Sequence, residues 1–192
     1  MLQMMSNEQI SKILRNIAAS YVIKNEQKFR FQIIAYQRAA DTIDNTTSEL
    51  KDLYKEHKLV TLPGIGPTIS QHLEELFRTG KVKHFNWVLK GIPQAVFPLL
   101  DVPTFGPKKA HRLVTEFNLK NPNTVISDIE KIAKKGKIAK LPGFGEKSQS
   151  DILRAISEFK KGSGKTRRMV LPFASELAEK IIDYLKKSKD AN

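Results

Sequence analysis

Three short stretches of the sequence share a pattern that can hold phosphate. Leu62-Pro63-Gly64-Ile65-Gly66 recurs as Val102-Pro103-Thr104-Phe105-Gly106 and as Leu141-Pro142-Gly143-Phe144-Gly145. The copies begin 40 and then 39 residues apart (62 to 102, 102 to 141). Two glycines in a short turn let the backbone adopt positive φ without steric cost and leave no side chain in the way of an approaching backbone. A helix that starts directly after the turn has first N–H groups with no intrahelical partner. With the helix dipole these groups form an anion site. The apolar residue between the glycines (Ile65, Phe105, Phe144) is placed to anchor the turn in the core. A site built from backbone reads phosphate rather than base, so its chemistry is a sequence-independent grip on a sugar-phosphate chain. The competing reading is a helical array whose turns merely need glycine.

The flanking charges differ among the copies. Lys108, Lys109 and Arg112 follow the second, with His111 among them. Lys137 and Lys140 precede the third, and Lys147 follows it. The first is poor in cations, its nearest being Lys58 and Arg78. Binding strength is expected at the second and third hairpins, although any one of these lysines also reads as a solvated helix face.

The elements around the turns read as helices. Each turn precedes a periodic segment: Ile69 to Phe77, Lys108 to Phe117, Ser148 to Phe159. Upstream, Ser6 and Gln9 form a capping-box signature before Ile10, Ile13, Leu14 and Ile17. Phe29 to Ile43 gives a second helix that stops in Asp44-Asn45-Thr46-Thr47-Ser48, and Leu50, Leu53 and Tyr54 begin a third. No strand signal competes. Lys160 to Lys165 reads as a basic linker before a last amphipathic helix through Leu177, Ile181, Ile182 and Leu185. The fold class is all-α, with a small helical domain over 1–90, two further hairpins over 91–160, and a linker and final helix over 161–192.

The chain's 192 residues carry 33 Lys and Arg against 20 Asp and Glu, a net charge of +13 that calls for a polyanionic partner. There is no Cys, which excludes disulfides, thiolate metal sites and Cys nucleophiles. No apolar run reaches membrane-spanning length, and the N-terminus lacks the features of a signal peptide, so the expected setting is the cytoplasm, without membrane partners. His57, His72, His84 and His111 lack a paired metal-ligand spacing and read as lone surface residues. Trp87, beside Phe85, Val88 and Leu89, reads as core or domain interface rather than a base-stacking platform, and Phe97, Leu99 and Leu100 as core. Gly162-Ser163-Gly164-Lys165-Thr166 lacks the earlier Gly of a nucleotide-binding loop, Phe159 standing there.

In order, these motifs resemble the N-terminal part of family X DNA polymerases, most closely the bacterial and archaeal kind. Phe31-Gln32-Ile33-Ile34-Ala35-Tyr36-Gln37-Arg38-Ala39-Ala40 is similar to that family's Phe-x-x-x-Ala-Tyr-x-x-Ala-Ala segment. The three hairpins match in sequence, and Arg167-Arg168-Met169 with Leu171-Pro172 resembles the lead-in to the palm. The resemblance implies a fold like the N-terminal domains of polymerase beta, and a role in holding gapped or nicked DNA for repair synthesis of the base-excision kind. It implies DNA contacts at Tyr36, Arg38, Gly64, Ile65, Gly66 and Thr68. At the second hairpin it implies Phe105, Gly106, Lys108, Lys109 and Arg112, and at the third Lys140, Gly143, Phe144, Gly145, Lys147 and Ser148. No cofactor is required, but a monovalent cation, Na+ or K+, is implied on the backbone of Leu62 and Ile65. The setting would be a prokaryotic, nucleoid-associated one.

The departures from the family carry as much weight. The palm would follow residue 192, and no Gly-Ser pair followed by Asp-x-Asp supplies metal-binding carboxylates. The chain alone is not expected to polymerise, and it reads as one piece of a longer or split enzyme, with a palm in cis or in trans. At the position of the family's Schiff-base Lys stands His72, and imidazole forms no stable iminium. Thr68 and His84 replace further family lysines and Gln32 another, so no catalytic residue is assigned and His72 reads as solvated. Thr104 stands where the second hairpin normally has Gly, which predicts either an altered turn or a negative φ. Two rivals to DNA binding remain: a lyase on abasic DNA using a lysine such as Lys81, and a protein-interaction scaffold with structural hairpins.

Overall fold

A computed structural model describes residues 5–162. The expected C-terminal helix, the palm lead-in and Ser163-Gly164-Lys165-Thr166 lie outside the described residues. Within them the fold is all-helical: α1 (Asn7–Asn25), α2 (Arg30–Asn45), α3 (Leu50–Lys55), a 3-10 turn (Leu59–Thr61), α4 (Pro67–Thr79), α5 (Lys83–Leu89), α6 (Val96–Leu99), α7 (Pro107–Glu116), α8 (Val125–Lys134) and α9 (Glu146–Lys160). No helix among the described residues is long and apolar enough to cross a membrane.

Local chemistry sets the boundaries. The Ser6 hydroxyl accepts from Gln9 N–H at 3.3 Å while the Gln9 side chain accepts from Ser6 N–H at 2.9 Å, closing the capping box that starts α1. Asn7 stitches this end to α3, donating to the Ser48 carbonyl and accepting from Leu50 N–H. Gly80, at φ 70°, ends α4 in a left-handed cap.

Two apolar cores form. The first gathers Ile10, Leu14, Ile17 and Tyr21 of α1 with Ile33, Tyr36 and Ile43 of α2, Leu73 and Leu76 of α4, and Phe85 and Val88 of α5. The second gathers Val96, Phe97, Leu99, Leu113, Val114, Ile129, Ile152 and Ile156. Leu89 packs against both, and Ile23 of α1 packs against the second. Two exposed ion pairs tie α1 to the second hairpin: Lys12 with Asp101 at 2.6 Å, and Glu26 with Lys108 at 2.7 Å.

Trp87 corrects an expectation. It is not core; it is 52% exposed. On α5 the residues Phe85 and Val88 share one face at a spacing of three, and Trp87 falls off that face. The histidines correct another. His72 and His84 are half-buried and stacked on each other, with centroids 4.9 Å apart and planes at 4°. His72 Nδ1 lies 2.8 Å from the Tyr36 hydroxyl, and His84 Nε2 lies 2.6 Å from the Tyr21 hydroxyl. Sequence spacing could not pair them, because their partners come from α1 and α2.

Candidate nucleic-acid interface

The three repeats fold into one local structure. In each, the fourth residue's N–H donates to the first residue's carbonyl: Ile65 to Leu62 at 3.1 Å, Phe105 to Val102 at 3.3 Å, Phe144 to Leu141 at 2.9 Å. The third residue takes positive φ: Gly64 at 80°, Thr104 at 75°, Gly143 at 76°. Pro second and positive φ third make a type II turn. Neither outcome expected for Thr104 holds, since the turn is unaltered and φ is positive. The flanking hydrogen bonds and the buried Phe105 hold the β-branched residue in the left-handed region, a local strain of about 1–3 kcal/mol.

The second glycine works differently from expectation. Gly66, Gly106 and Gly145 have φ of −78°, −79° and −137° and serve as N-caps in extended conformation. A Cβ on any of them would meet nothing within 4 Å, so no neighbour within the chain requires glycine there. What glycine does is leave the cap without a side-chain acceptor: none of α4, α7 and α9 has a side-chain cap hydrogen bond. The first in-helix bonds are Ser70 to Gly66, Ala110 to Gly106 and Gln149 to Gly145. The N–H groups of Thr68 and Ile69, of Lys108 and Lys109, and of Lys147 and Ser148 precede those bonds and have no acceptor among the described residues. Each hairpin thus presents open space and unpartnered donors together.

The apolar anchors behave as expected at two hairpins and differently at the third. Ile65 and Phe105 are buried. Phe144 is half-buried, with the Arg112 guanidinium 5.2 Å above its ring. Each turn is also underpinned three residues upstream by a buried apolar side chain, Leu59, Leu99 or Ile138, whose carbonyl accepts from Leu62, Val102 or Leu141 N–H. That anchor lies just before the recurring pattern, and the shared three-residue offset was its available signal.

Several expected contact residues have other duties. Tyr36 is buried at 3% exposure with its hydroxyl on His72, so it supports the first hairpin's surroundings rather than presenting a surface. Burial raises its phenol above the ordinary tyrosine range. Arg112 donates to the Pro142 carbonyl, so it clamps the third turn onto α7 instead of standing free for phosphate. Lys108 is held by Glu26, and Lys109 donates to the Thr104 carbonyl at 3.1 Å. Arg38 is exposed on α2, with its Cβ 3.6 Å from where a Gly64 side chain would begin, and Thr42 donates to the Pro63 carbonyl at 2.6 Å. Lys137, Lys140 and Lys147 are exposed and enter none of the ion pairs among the described residues. The third hairpin is therefore the most available cationic site, with the opposing charge of Glu146 at the first position of α9.

At the first hairpin the Leu62 carbonyl accepts the turn N–H, and the Ile65 carbonyl accepts no hydrogen bond among the described residues. These neutral oxygens fit a weakly held monovalent cation better than a divalent one, which draws carboxylates. No group of three or more His, Asp or Glu among the described residues could hold a metal ion.

The half-buried His72 has a titration consequence. Burial lowers its pKa below the ordinary imidazole value, the neighbouring His84 lowers it further, and Glu75 partly opposes them. The unfolded chain then takes up a proton at a pH where the folded chain does not. Stability is fully present above the unfolded value of about 6.5 and declines as pH falls through it. The melting temperature should drop between pH 7.5 and 5.5, and His72→Gln should flatten that drop. An unchanged slope in the variant would remove His72 as its source.

Comparison with known proteins agrees with this geometry. A family described as a helix-hairpin-helix domain matches residues 5–82, the stretch containing the first hairpin. The DNA polymerase/3'-5' exonuclease PolX of Bacillus subtilis (strain 168) is 27% identical over 184 residues, 94% of this chain. The chain spans 30% of the length of that relative. The chain is thus similar to a helix-hairpin-helix domain over residues 5–82 and, along nearly its whole length, to part of that polymerase.

Proposed function

We propose that the chain grips the DNA backbone without regard to sequence, through successive helix-hairpin-helix turns. The observation that carries this reading is the repetition of one turn geometry in which a glycine cap leaves helix N–H groups unpartnered beside open space. Backbone donors reach phosphate oxygens and lysines neutralise the charge. Lys140 and Lys147 supply the strongest cationic contribution, and Gly143, Gly145 and Ser148 the donors and clearance around them. At the second hairpin Gly106, Lys108 and Lys109 act through backbone N–H groups as well as charge. At the first, Gly64, Gly66 and Thr68 offer backbone, Arg38 stands nearby, and the Leu62 and Ile65 carbonyls would hold a monovalent cation. Such a cation, Na+ or K+, supplies positive charge where the flanking sequence has little.

The natural setting of this grip is gapped or nicked DNA during repair synthesis in a prokaryotic cytoplasm. A polymerase palm acts beside it, in cis or in trans. Fluorescence anisotropy over a salt series, with a gapped duplex beside an intact one, tests the reading. Affinity should fall with salt by roughly 0.9 log units per log unit of salt for each phosphate contacted, and the gapped duplex should bind more tightly. Equal affinity for both would leave a generic backbone clamp. No binding at low salt would end the DNA reading in favour of a protein scaffold.

A further inference from the structure

Four stacked rings run from the first core to the surface, the inner three near-parallel. Tyr36 lies against His72 with centroids 6.2 Å apart and planes at 8°. His72 lies on His84 at 4.9 Å and 4°, and His84 on Trp87 at 5.8 Å and 29°. The inner end is buried, and the outer end, Trp87, is half exposed. Hydrogen bonds between Tyr36 and His72 and between Tyr21 and His84 fix the two imidazoles, and Phe29 meets the indole edge-on at 6.3 Å. The indole is therefore held in place before any ligand arrives, so little side-chain entropy remains to be lost on stacking.

The surroundings select the ligand. Lys24 lies 5.4 Å over the indole, and its ammonium donates to the Lys90 carbonyl at 3.1 Å. Lys28 lies 5.5 Å over Phe29. The segments 24–30 and 83–90 contain Lys24, Lys28, Arg30, Lys83 and Lys90, and a single carboxylate, Glu26, which is paired with Lys108. An aromatic face with one lysine over it, a second over the neighbouring Phe29 and further cations in the flanking segments suits a planar base with phosphates beside it.

We propose that Trp87 is a stacking platform for an unpaired nucleobase of single-stranded DNA, with Lys24 and Lys28 receiving the adjoining phosphates. The base takes the place of the Lys24 ammonium on the ring, and the ammonium passes to the phosphate beside it. A duplex base has both faces covered by its neighbours, so the platform acts only where a strand is single. This surface goes beyond the hairpins and rests on the reading of the chain as DNA-binding.

Trp87 is the one Trp in the chain, so its emission reports on this surface directly. Oligothymidylate and a blunt hairpin duplex are titrated separately at low salt, with anisotropy of labelled DNA measured in parallel. Oligothymidylate should quench the emission and the duplex should not. Trp87→Ala should weaken oligothymidylate binding about tenfold and change duplex binding less than twofold, and Trp87→Phe should recover part of the loss. Oligothymidylate bound with emission unchanged, or equal weakening of both DNAs in Trp87→Ala, would overturn the platform while leaving the hairpin grip standing. Failure of both DNAs to bind would remove the hairpin grip and the platform together.

Discussion

The double substitution Lys140→Ala/Lys147→Ala should weaken duplex DNA binding about sixtyfold at roughly 0.1 M salt, and lower the salt slope by about 1.8. Both lysines flank the third turn, both are exposed, and neither enters an ion pair among the described residues. Each phosphate contact contributes roughly 0.9 to the slope, hence about 0.9 log units between 0.1 M and 1 M salt, and two contacts give about 1.8. Lys108→Ala should do less, because its ammonium is already shared with Glu26. Anisotropy at four or five salt concentrations separates the outcomes. A double variant that loses affinity with its slope intact would show that the lysines act through something other than counterion release.

Exchanging the residues at one turn position should move stability in opposite directions. Thr104→Gly should stabilise the protein by about 1 kcal/mol, because it releases roughly 1–3 kcal/mol of left-handed strain and gives back about 0.5–1 kcal/mol in unfolded-chain entropy. The bond from Lys109 to residue 104 uses the backbone carbonyl and survives the change. Gly143→Thr should destabilise by about 2 kcal/mol. Its Cβ would also sit 3.3 Å from the Arg112 guanidinium, which must give by a few tenths of an ångström where it clamps the turn. Urea unfolding measures both, as midpoint shifts at constant slope. A loss of stability in Thr104→Gly would mean that the threonine is held there by contacts worth more than its strain.

Much of this was legible in the sequence, and for identifiable reasons. The repeat, the helices on either side and the caps are local features, so residues three or four apart were enough to find them. The role of the second glycine was not local in that sense. Gly64 and Gly66 are both glycine in the sequence, yet only the first needs positive φ, while the second withholds a cap acceptor. Arg112 read as a phosphate ligand because the residues it holds, Pro142 and Phe144, lie 30 and more positions away. Trp87 read as core or domain interface because its sequence neighbours are apolar, whereas on α5 it falls off the face that Phe85 and Val88 bury and is 52% exposed. Lone histidines became a stacked pair only when α4 and α5 met α1 and α2.

Helix α1 has a further consequence. It contributes Ile10, Leu14 and Ile17 to one core and leans Ile23 on the other, while Lys12 and Glu26 reach across to the second hairpin. The apolar part of that bridge is small and the ionic part is exposed, so added salt weakens the link without touching either interior. Raising the salt concentration should therefore loosen the coupling between the two halves slightly, by the small margin that two exposed pairs contribute. Amide protons in the second half of α1 exchange at a rate set by whichever half opens first. Where the second half opens first, a ligand that steadies the third hairpin slows exchange in a helix it does not contact.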